Sequence, residues 1–261
     1  MRKNKIILII LICSLFILTG CFGSEEEPTY TNEIITQKVE YEENITISDL
    51  EDVIVHIANK CEGSVIGVTS EALISSGFGS GVIFKVDEGV TYNTYYLITN
   101  FHVISTNNKI NSTINVYLGD YDETIKAEVK DHNKDKDLAI LSFKSPRALT
   151  VATLGDSTKL EKGRFAIAIG NPHELKTYYN SLTVGYISHP NRIVYEKNNM
   201  SNYFIQHTAQ INSGNSGGGL FNLDGELIGI NSWKYAEEEI EGMGFAIPIH
   251  IVKLTFPKYF N

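Results

Sequence analysis

An all-β fold is predicted by three features of the chain. Between Ser64 and Pro248 a dozen short runs, alternating or wholly apolar, recur at close intervals and are bounded by Gly, Asn and Asp. This is the pattern of strands joined by tight turns. Asp224-Gly225, between Phe221 and Leu227, is a strong hairpin signal, because this dipeptide suits a two-residue turn. Helical patterning is confined to one short stretch at each end. A Greek-key or barrel arrangement accommodates such strands, and about 185 residues suffice for one sizeable core or for two small barrels packed together.

Residues 1–20 stand outside that fold. Arg2, Lys3 and Lys5 form a basic head before the unbroken apolar run Ile6–Leu18. The run is shorter than the roughly 20 residues a spanning helix needs and has the length of an export-signal core. It closes in Leu18-Thr19-Gly20-Cys21, which is similar to a bacterial lipobox. That resemblance implies cleavage before Cys21, acylation (palmitate) of its thiol, and a lipoprotein anchored to the outer face of the cell membrane. A plain signal peptide that happens to contain a cysteine is the alternative, and export follows from either.

The cysteine and charge counts narrow the class. Of the three cysteines, Cys13 leaves with the signal and Cys21 carries the lipid. Cys61 is then left with no disulfide partner and reads as a small buried hydrophobe. Residues 21–46 are acidic and polar, with Glu25-Glu26-Glu27 before Pro28, and lack apolar periodicity. They read as a solvated tether. The formal net charge is −9, and losing three cations and no acid with the signal takes it to −12. That balance argues against nucleic acid and against charge-driven docking on anionic lipid. Asn44 and Asn111 begin N-x-S/T triplets, read as chance behind a bacterial export signal. No His/Cys cluster has metal-ligand spacing, and no motif requires a cofactor.

In chain order, Val53–Cys61 reads as a short amphipathic helix. Strands are expected at Ser64–Val68, Gly81–Lys85, Tyr95–Thr99, Ile114–Leu118, Ile125–Val129 and Leu138–Phe143, then at Phe165–Ala168, Leu182–Ser188, Tyr203–His207, Gly219–Asn222, Leu227–Asn231 and Gly244–Ile247. Ser145-Pro146-Arg147 is the expected crossing between the two halves.

Three segments carry chemistry. In Asn212-Ser213-Gly214-Asn215-Ser216-Gly217-Gly218-Gly219 a serine is bracketed by glycines, which permit positive φ and close approach of a substrate. The turn is expected to aim the N–H groups of Gly214 and Ser216, with Asn215 between them, at one point where an oxyanion would be held. His102 follows the apolar run Tyr96–Ile98 and should project from a strand end. Asp137 opens the apolar segment Leu138–Leu141, with its side chain at the mouth of a cleft. A serine hydroxyl needs a base, a neutral imidazole suits that task near pH 7, and a buried carboxylate holds the imidazole in one tautomer. The order His102, Asp137, Ser216 is that of chymotrypsin-like proteases. Asp131 and Asp135 read as loop surface. His207 lies on the strand feeding the serine turn and is poorly placed to act as base, and His132, His173, His189 and His250 lack a matching context.

Residues from about Ile47 to Val252 resemble the protease domain of the HtrA/Deg family of trypsin-like serine proteases. The matching motifs include Gly79-Ser80-Gly81-Val82-Ile83, Thr99-Asn100-Phe101-His102-Val103-Ile104, Asp137-Leu138-Ala139-Ile140-Leu141 and Leu154-Gly155-Asp156-Ser157. Ala168-Ile169-Gly170-Asn171-Pro172, Gly214-Asn215-Ser216-Gly217-Gly218 and Gly244-Phe245-Ala246-Ile247-Pro248 complete the set. The resemblance implies two six-stranded Greek-key barrels, the first over about 62–145 and the second over about 150–248, within a domain spanning 47–261. It implies a triad of His102, Asp137 and Ser216, an oxyanion hole at Gly214 and Ser216, protein or peptide substrates, and a role in protein quality control. Relatives commonly form homotrimers, but nothing in this sequence marks a trimerising surface.

Two departures stand out. Family members usually carry PDZ domains after the protease domain, whereas about a dozen residues follow Pro248, so regulation through a PDZ domain is not expected. The proline common after the two glycines is Gly219 here. For specificity, the fold implies a primary pocket floored near Gln210, with Ile211 beside it, and walled by Ser232, Trp233 and Lys234. Gln210 does not suit a basic side chain, and Lys234 should narrow the mouth in favour of a small or medium aliphatic residue. Recognition of glutamate by Lys234 and Gln210, as in a glutamyl endopeptidase of the same fold, is the alternative. A protease-fold binding or chaperone module without turnover is the alternative from another class.

Overall fold

The computed structural model describes residues 46–72, 76–172, 176–195, 201–232 and 242–260. The expected signal, the tether up to residue 45, Cys21, His173, Trp233 and Lys234 lie outside the described residues.

The chain enters through α1 (Ile47–Cys61), which starts six residues before the expected helix. The reason is a capping box that the apolar pattern alone does not reveal. The Thr46 hydroxyl accepts from the Asp49 amide, and the Asp49 carboxylate accepts from Thr46 in return, so two otherwise unpaired donors are used.

The first half is built from β1 (Val65–Glu71), β2 (Ser76–Asp87), β3 (Asn93–Thr99), a small hairpin of β4 (Ser105–Thr106) and β5 (Lys109–Ile110), β6 (Thr113–Leu118), β7 (Glu123–Lys126), β8 (Glu128–Asn133) and β9 (Leu138–Ser145). The hairpin turns on Asn107 and Asn108, both left-handed, as such turns require. Strand order is β7-β6-β1-β2-β3-β9-β8. The single strand expected at Ile125–Val129 is therefore two pieces that break at Ala127. One piece pairs with β6 and the other with β9, so the bent segment 123–133 links the two ends of the row and curls it into a barrel that is only partly closed. Asp131 accordingly lies within β8 and not in a loop, and it pairs with Lys258 at 2.8 Å.

The second half comprises β10 (Thr153–Leu154), β11 (Phe165–Gly170), β12 (Ser181–Tyr195), β13 (Ser201–His207), β14 (Gly219–Phe221), β15 (Glu226–Asn231) and β16 (Gly244–Pro248), followed by α2 (Ile249–Thr255). The row β15-β14-β11-β12-β13-β16 returns to β15 through a direct β15–β16 pairing, closing a six-stranded barrel. β12 runs well past the expected Ser188, because Pro190 is absorbed at an irregularity where the register against β13 shifts. The hairpin at Asp224-Gly225 is present, with Gly225 at φ 70°.

Three apolar clusters follow from the strand alternation. Ile66, Leu97, Val116 and Leu141 fill the first barrel, and Ala166, Ile205, Leu220 and Ile228 fill the second. The largest cluster lies between them. Ile98, Leu138 and Ile140 from the first barrel meet Ile167, Phe204, Phe221 and Ile247 from the second, with Ile57 of α1 and Val252 of α2. The two barrels therefore share a core, and the catalytic candidates sit where their strand ends meet.

Candidate active site

His102 is carried not by a strand end but by a short 3-10 helix, Phe101–Ile104, immediately after β3. The helix is tied down from behind. The Ser70 hydroxyl donates to the Val103 carbonyl at 2.7 Å, and the Asn111 side chain donates to that hydroxyl at 2.8 Å. Asp137 is the residue before β9 and adopts a left-handed φ of 52°, a conformation aspartate tolerates better than most residues. Its side chain is not at an open mouth but about 1% exposed.

Two bonds join these residues directly, and two more tie Asp137 to the residues just before His102. Asp137 Oδ2 lies 2.7 Å from His102 Nδ1, and Oδ1 accepts the His102 backbone N–H at 3.0 Å. The Asp137 carbonyl accepts from the Phe101 N–H at 3.1 Å and from the Asn100 side chain at 3.0 Å. An ionised carboxylate only accepts, so Nδ1 carries the ring proton and Nε2 is left as the basic nitrogen. That is the tautomer a general base requires. Ser232, expected in the substrate pocket, is instead fully buried with its hydroxyl 3.4 Å from Asp137 Oδ2 and its N–H on the Phe245 carbonyl. The first barrel thus supplies the pair, and a residue from the second leans on it.

Ser216 lies in the turn between β13 and β14. Gly214 and Gly217 take φ of 97° and 83°, which only glycine adopts without strain. A Cβ on Gly217 would also drive into the Ser80 carbonyl and the Thr99 hydroxyl. The turn is fixed by backbone bonds: Asn215 N–H to Asn212 at 3.0 Å, Gly217 N–H to Asn231 at 2.9 Å, and Gly218 N–H to Asn215 at 3.0 Å. The Asn215 amide, counted with the oxyanion group in sequence, is therefore spent inside the loop. The Ser216 carbonyl accepts from the Ser80 N–H at 2.8 Å. β2 of the first barrel is thereby bound directly to the serine loop of the second.

The expected pocket residues fare unevenly. Gln210 is exposed, which does not suit a pocket floor, and Ile211 packs inside the second barrel. His207, set aside in sequence, is fully buried at the end of β13 with its ring against Gly244. Burial pushes its imidazole down to about 4. A cleft of about 1100 Å³ lined by Leu154, Asp156, Leu160, Arg164, Leu223 and His250 contains none of these residues. Among the described residues no group of three or more His, Cys, Asp or Glu side chains has the geometry to hold a metal ion.

Two barrels that meet at a histidine–aspartate pair and a glycine-bracketed serine are the plan of the trypsin-like serine peptidases. The model of the trypsin-like peptidase domain matches residues 79–230, more than half of the chain, and the chain belongs to that family. It is 37% identical over 217 residues to the serine protease Do-like HtrA of Bacillus subtilis (strain 168), covering 79% of this chain and 46% of that protein. It is 40% identical over 177 residues to the periplasmic serine endoprotease DegP of Escherichia coli (strain K12), covering 67% of this chain and 34% of that one. The chain thus spans less than half the length of these relatives. Among solved structures, it is similar to the HtrA-type protease AlgW with tripeptide, at a TM-score of 0.63 and 29% identity over 77% of this chain and 62% of that one.

Proposed function

We propose that the chain is a serine endopeptidase of the HtrA type that cleaves protein or peptide substrates through an acyl-enzyme. The observation that carries this reading is the bidentate grip of the buried Asp137 on His102, at 2.7 Å to Nδ1 and 3.0 Å to the backbone N–H. It leaves Nε2 as the basic nitrogen, to which this reading assigns the Ser216 proton. In the first step Nε2 takes the Ser216 hydroxyl proton as Oγ bonds to the scissile carbonyl carbon, and the carbonyl oxygen becomes an oxyanion stabilised by the Gly214 and Ser216 amides. Asp137 steadies the imidazolium so formed. The C–N bond then breaks and His102 returns the proton to the leaving amine. Water, deprotonated by His102, attacks the ester in the second half and regenerates Ser216 with release of the carboxylic acid.

The preferred residue before the scissile bond is small or medium aliphatic, a reading that rests on Lys234 in the sequence alone, because the exposed Gln210 does not floor a pocket. Digestion of a peptide library by wild type and by His102→Ala, with sites read by mass spectrometry, tests activity and preference together. Cutting after Val, Ile or Ala that disappears in the variant is the expected outcome. Cutting after Glu overturns the preference, and sites unchanged in the variant overturn the reading itself.

Export and a lipid anchor at Cys21 complete the proposal, supported by the basic head, the short apolar run and the lipobox-like Leu18–Cys21. A fatty-acid label on the wild type that is lost in Cys21→Ala is expected. Equal label on both excludes the anchor.

A further inference from the structure

Ser80, on β2, is fully buried and lies at the meeting point of five hydrogen bonds that are not part of its sheet's backbone ladder. Its hydroxyl donates to the Gly214 carbonyl at 2.8 Å. The same oxygen accepts from the Asn171 backbone N–H at 2.8 Å and from the Asn171 side chain at 3.2 Å. The Ser80 N–H donates to the Ser216 carbonyl at 2.8 Å, and the Ser80 carbonyl accepts from the Thr99 hydroxyl at 2.7 Å. A serine hydroxyl has one proton and two lone pairs. With both lone pairs turned to Asn171, the proton has one direction left, toward Gly214.

The consequence reaches the peptide planes of the serine loop. In a trans peptide the C=O and N–H of one plane point in opposite directions, so a plane tied at both ends cannot turn. The Gly214–Asn215 plane is tied by its carbonyl to the Ser80 hydroxyl and by its amide to Asn212. The Ser216–Gly217 plane is tied by its carbonyl to the Ser80 amide and by its amide to Asn231. The Asn215–Ser216 plane, which bears the Ser216 amide, lies between these two. Its own carbonyl accepts from Gly218, so its N–H is aimed the opposite way. The Gly214 amide sits on the plane just before the first tied one.

We propose that Ser80 is a positioning residue for the oxyanion hole, acting through the carbonyls of Gly214 and Ser216, with Asn171 fixing the direction of its hydroxyl. The proposal rests on the reading of Ser216 as nucleophile and goes beyond it by assigning a residue of the first barrel to the hole of the second. Ser80→Ala removes the tie on Gly214 and keeps the backbone tie on Ser216. The loss should fall on transition-state stabilisation and not on substrate binding.

The test is steady-state kinetics of the full chain on a cleaved peptide, with inhibition by the corresponding peptide aldehyde as the second readout. Removing an oxyanion donor outright costs about 10²–10³ in kcat, so misaiming one in Ser80→Ala should lower kcat roughly 10- to 100-fold with KM within about twofold, and weaken the aldehyde in parallel. Thr99→Val removes another buried bond to the same residue without touching Gly214. It should lower the melting temperature while leaving kcat within about threefold. Ser80→Cys, which keeps a weak donor of similar size, should fall between wild type and Ser80→Ala and covers the case in which the alanine variant does not fold. Equal kcat in Ser80→Ala and wild type, or an equal loss in Thr99→Val, overturns the proposal. A wrong nucleophile assignment looks different, because Ser216→Ala would then retain turnover.

Discussion

Asp137 combines two demands that oppose each other energetically. A carboxylate this deep in the protein would be costly if unpaired, and here it is offset by the His102 ring, the His102 amide and the Ser232 hydroxyl. Asp137→Asn keeps the shape but turns an NH₂ or a carbonyl toward Nδ1, so the tautomer is no longer dictated. The expected result is a fold with an unchanged melting curve and a kcat lower by roughly 10⁴-fold, measured on a peptide substrate. His207 makes the opposite kind of statement. Its imidazole sits at about 4, below the ordinary 6.5, because burial disfavours the cation more than the nearby Ala209 carbonyl and Asn231 amide favour it. On β12, Tyr186 and Arg192 are exposed and His189 is half-buried, and β16 contributes no titratable group beside it. Unfolding exposes a histidine that takes a proton the folded state refuses. The stability due to neutral His207 is therefore fully present above pH 6.5 and is lost as pH falls toward about 4. Roughly 3 kcal/mol is at stake. Urea midpoints between pH 7 and 4.5 should fall more steeply for the wild type than for His207→Gln, and parallel slopes would refute the assignment.

The elements that carry the site differ in how far they can be changed. The serine loop depends on Gly217, whose φ of 83° and contact with Ser80 leave no room for a side chain. Gly217→Ala should destabilise the domain by more than about 1 kcal/mol and abolish active-site labelling, as read by thermal melts and a fluorophosphonate probe. Most of the strands were legible from alternation and their Gly, Asn or Asp ends, and the serine turn from its glycines. The break at Ala127 was not, because the Glu128–Asn133 strand alternates between exposed and half-buried positions and offers no apolar face. The start of α1 was written in Thr46 and Asp49 but outside the apolar pattern. The hidden part of the site is of another kind. Ser80 touches Gly214 across 134 residues of chain, and Ser232 touches Asp137 across 95. Ser80 lies between Gly79 and Gly81, and Ser232 between Asn231 and Trp233, and nothing local distinguishes a tie across the cleft from a satisfied core serine. Asn171 and Asn100 are legible only as family motifs for the same reason.

The barrels are joined by a core to which both contribute, so they should not melt separately. Phe221 is fully buried in that shared cluster, and Phe221→Ala should cost about 3–5 kcal/mol while preserving a single calorimetric transition. Two resolved transitions would mean that the barrels are independent. Near that core Ser232 reaches Asp137 and Ser80 reaches Ser216 across the two barrels, and the proposed function depends on His102 meeting Ser216 there. Its most direct test is the intact mass of the full chain after reaction with a fluorophosphonate, for wild type, His102→Ala and Ser216→Ala. The account predicts one adduct per chain on wild type, mapped to Ser216, strongly slowed labelling in His102→Ala and none in Ser216→Ala. An adduct that persists in Ser216→Ala, or maps to another serine, would contradict it.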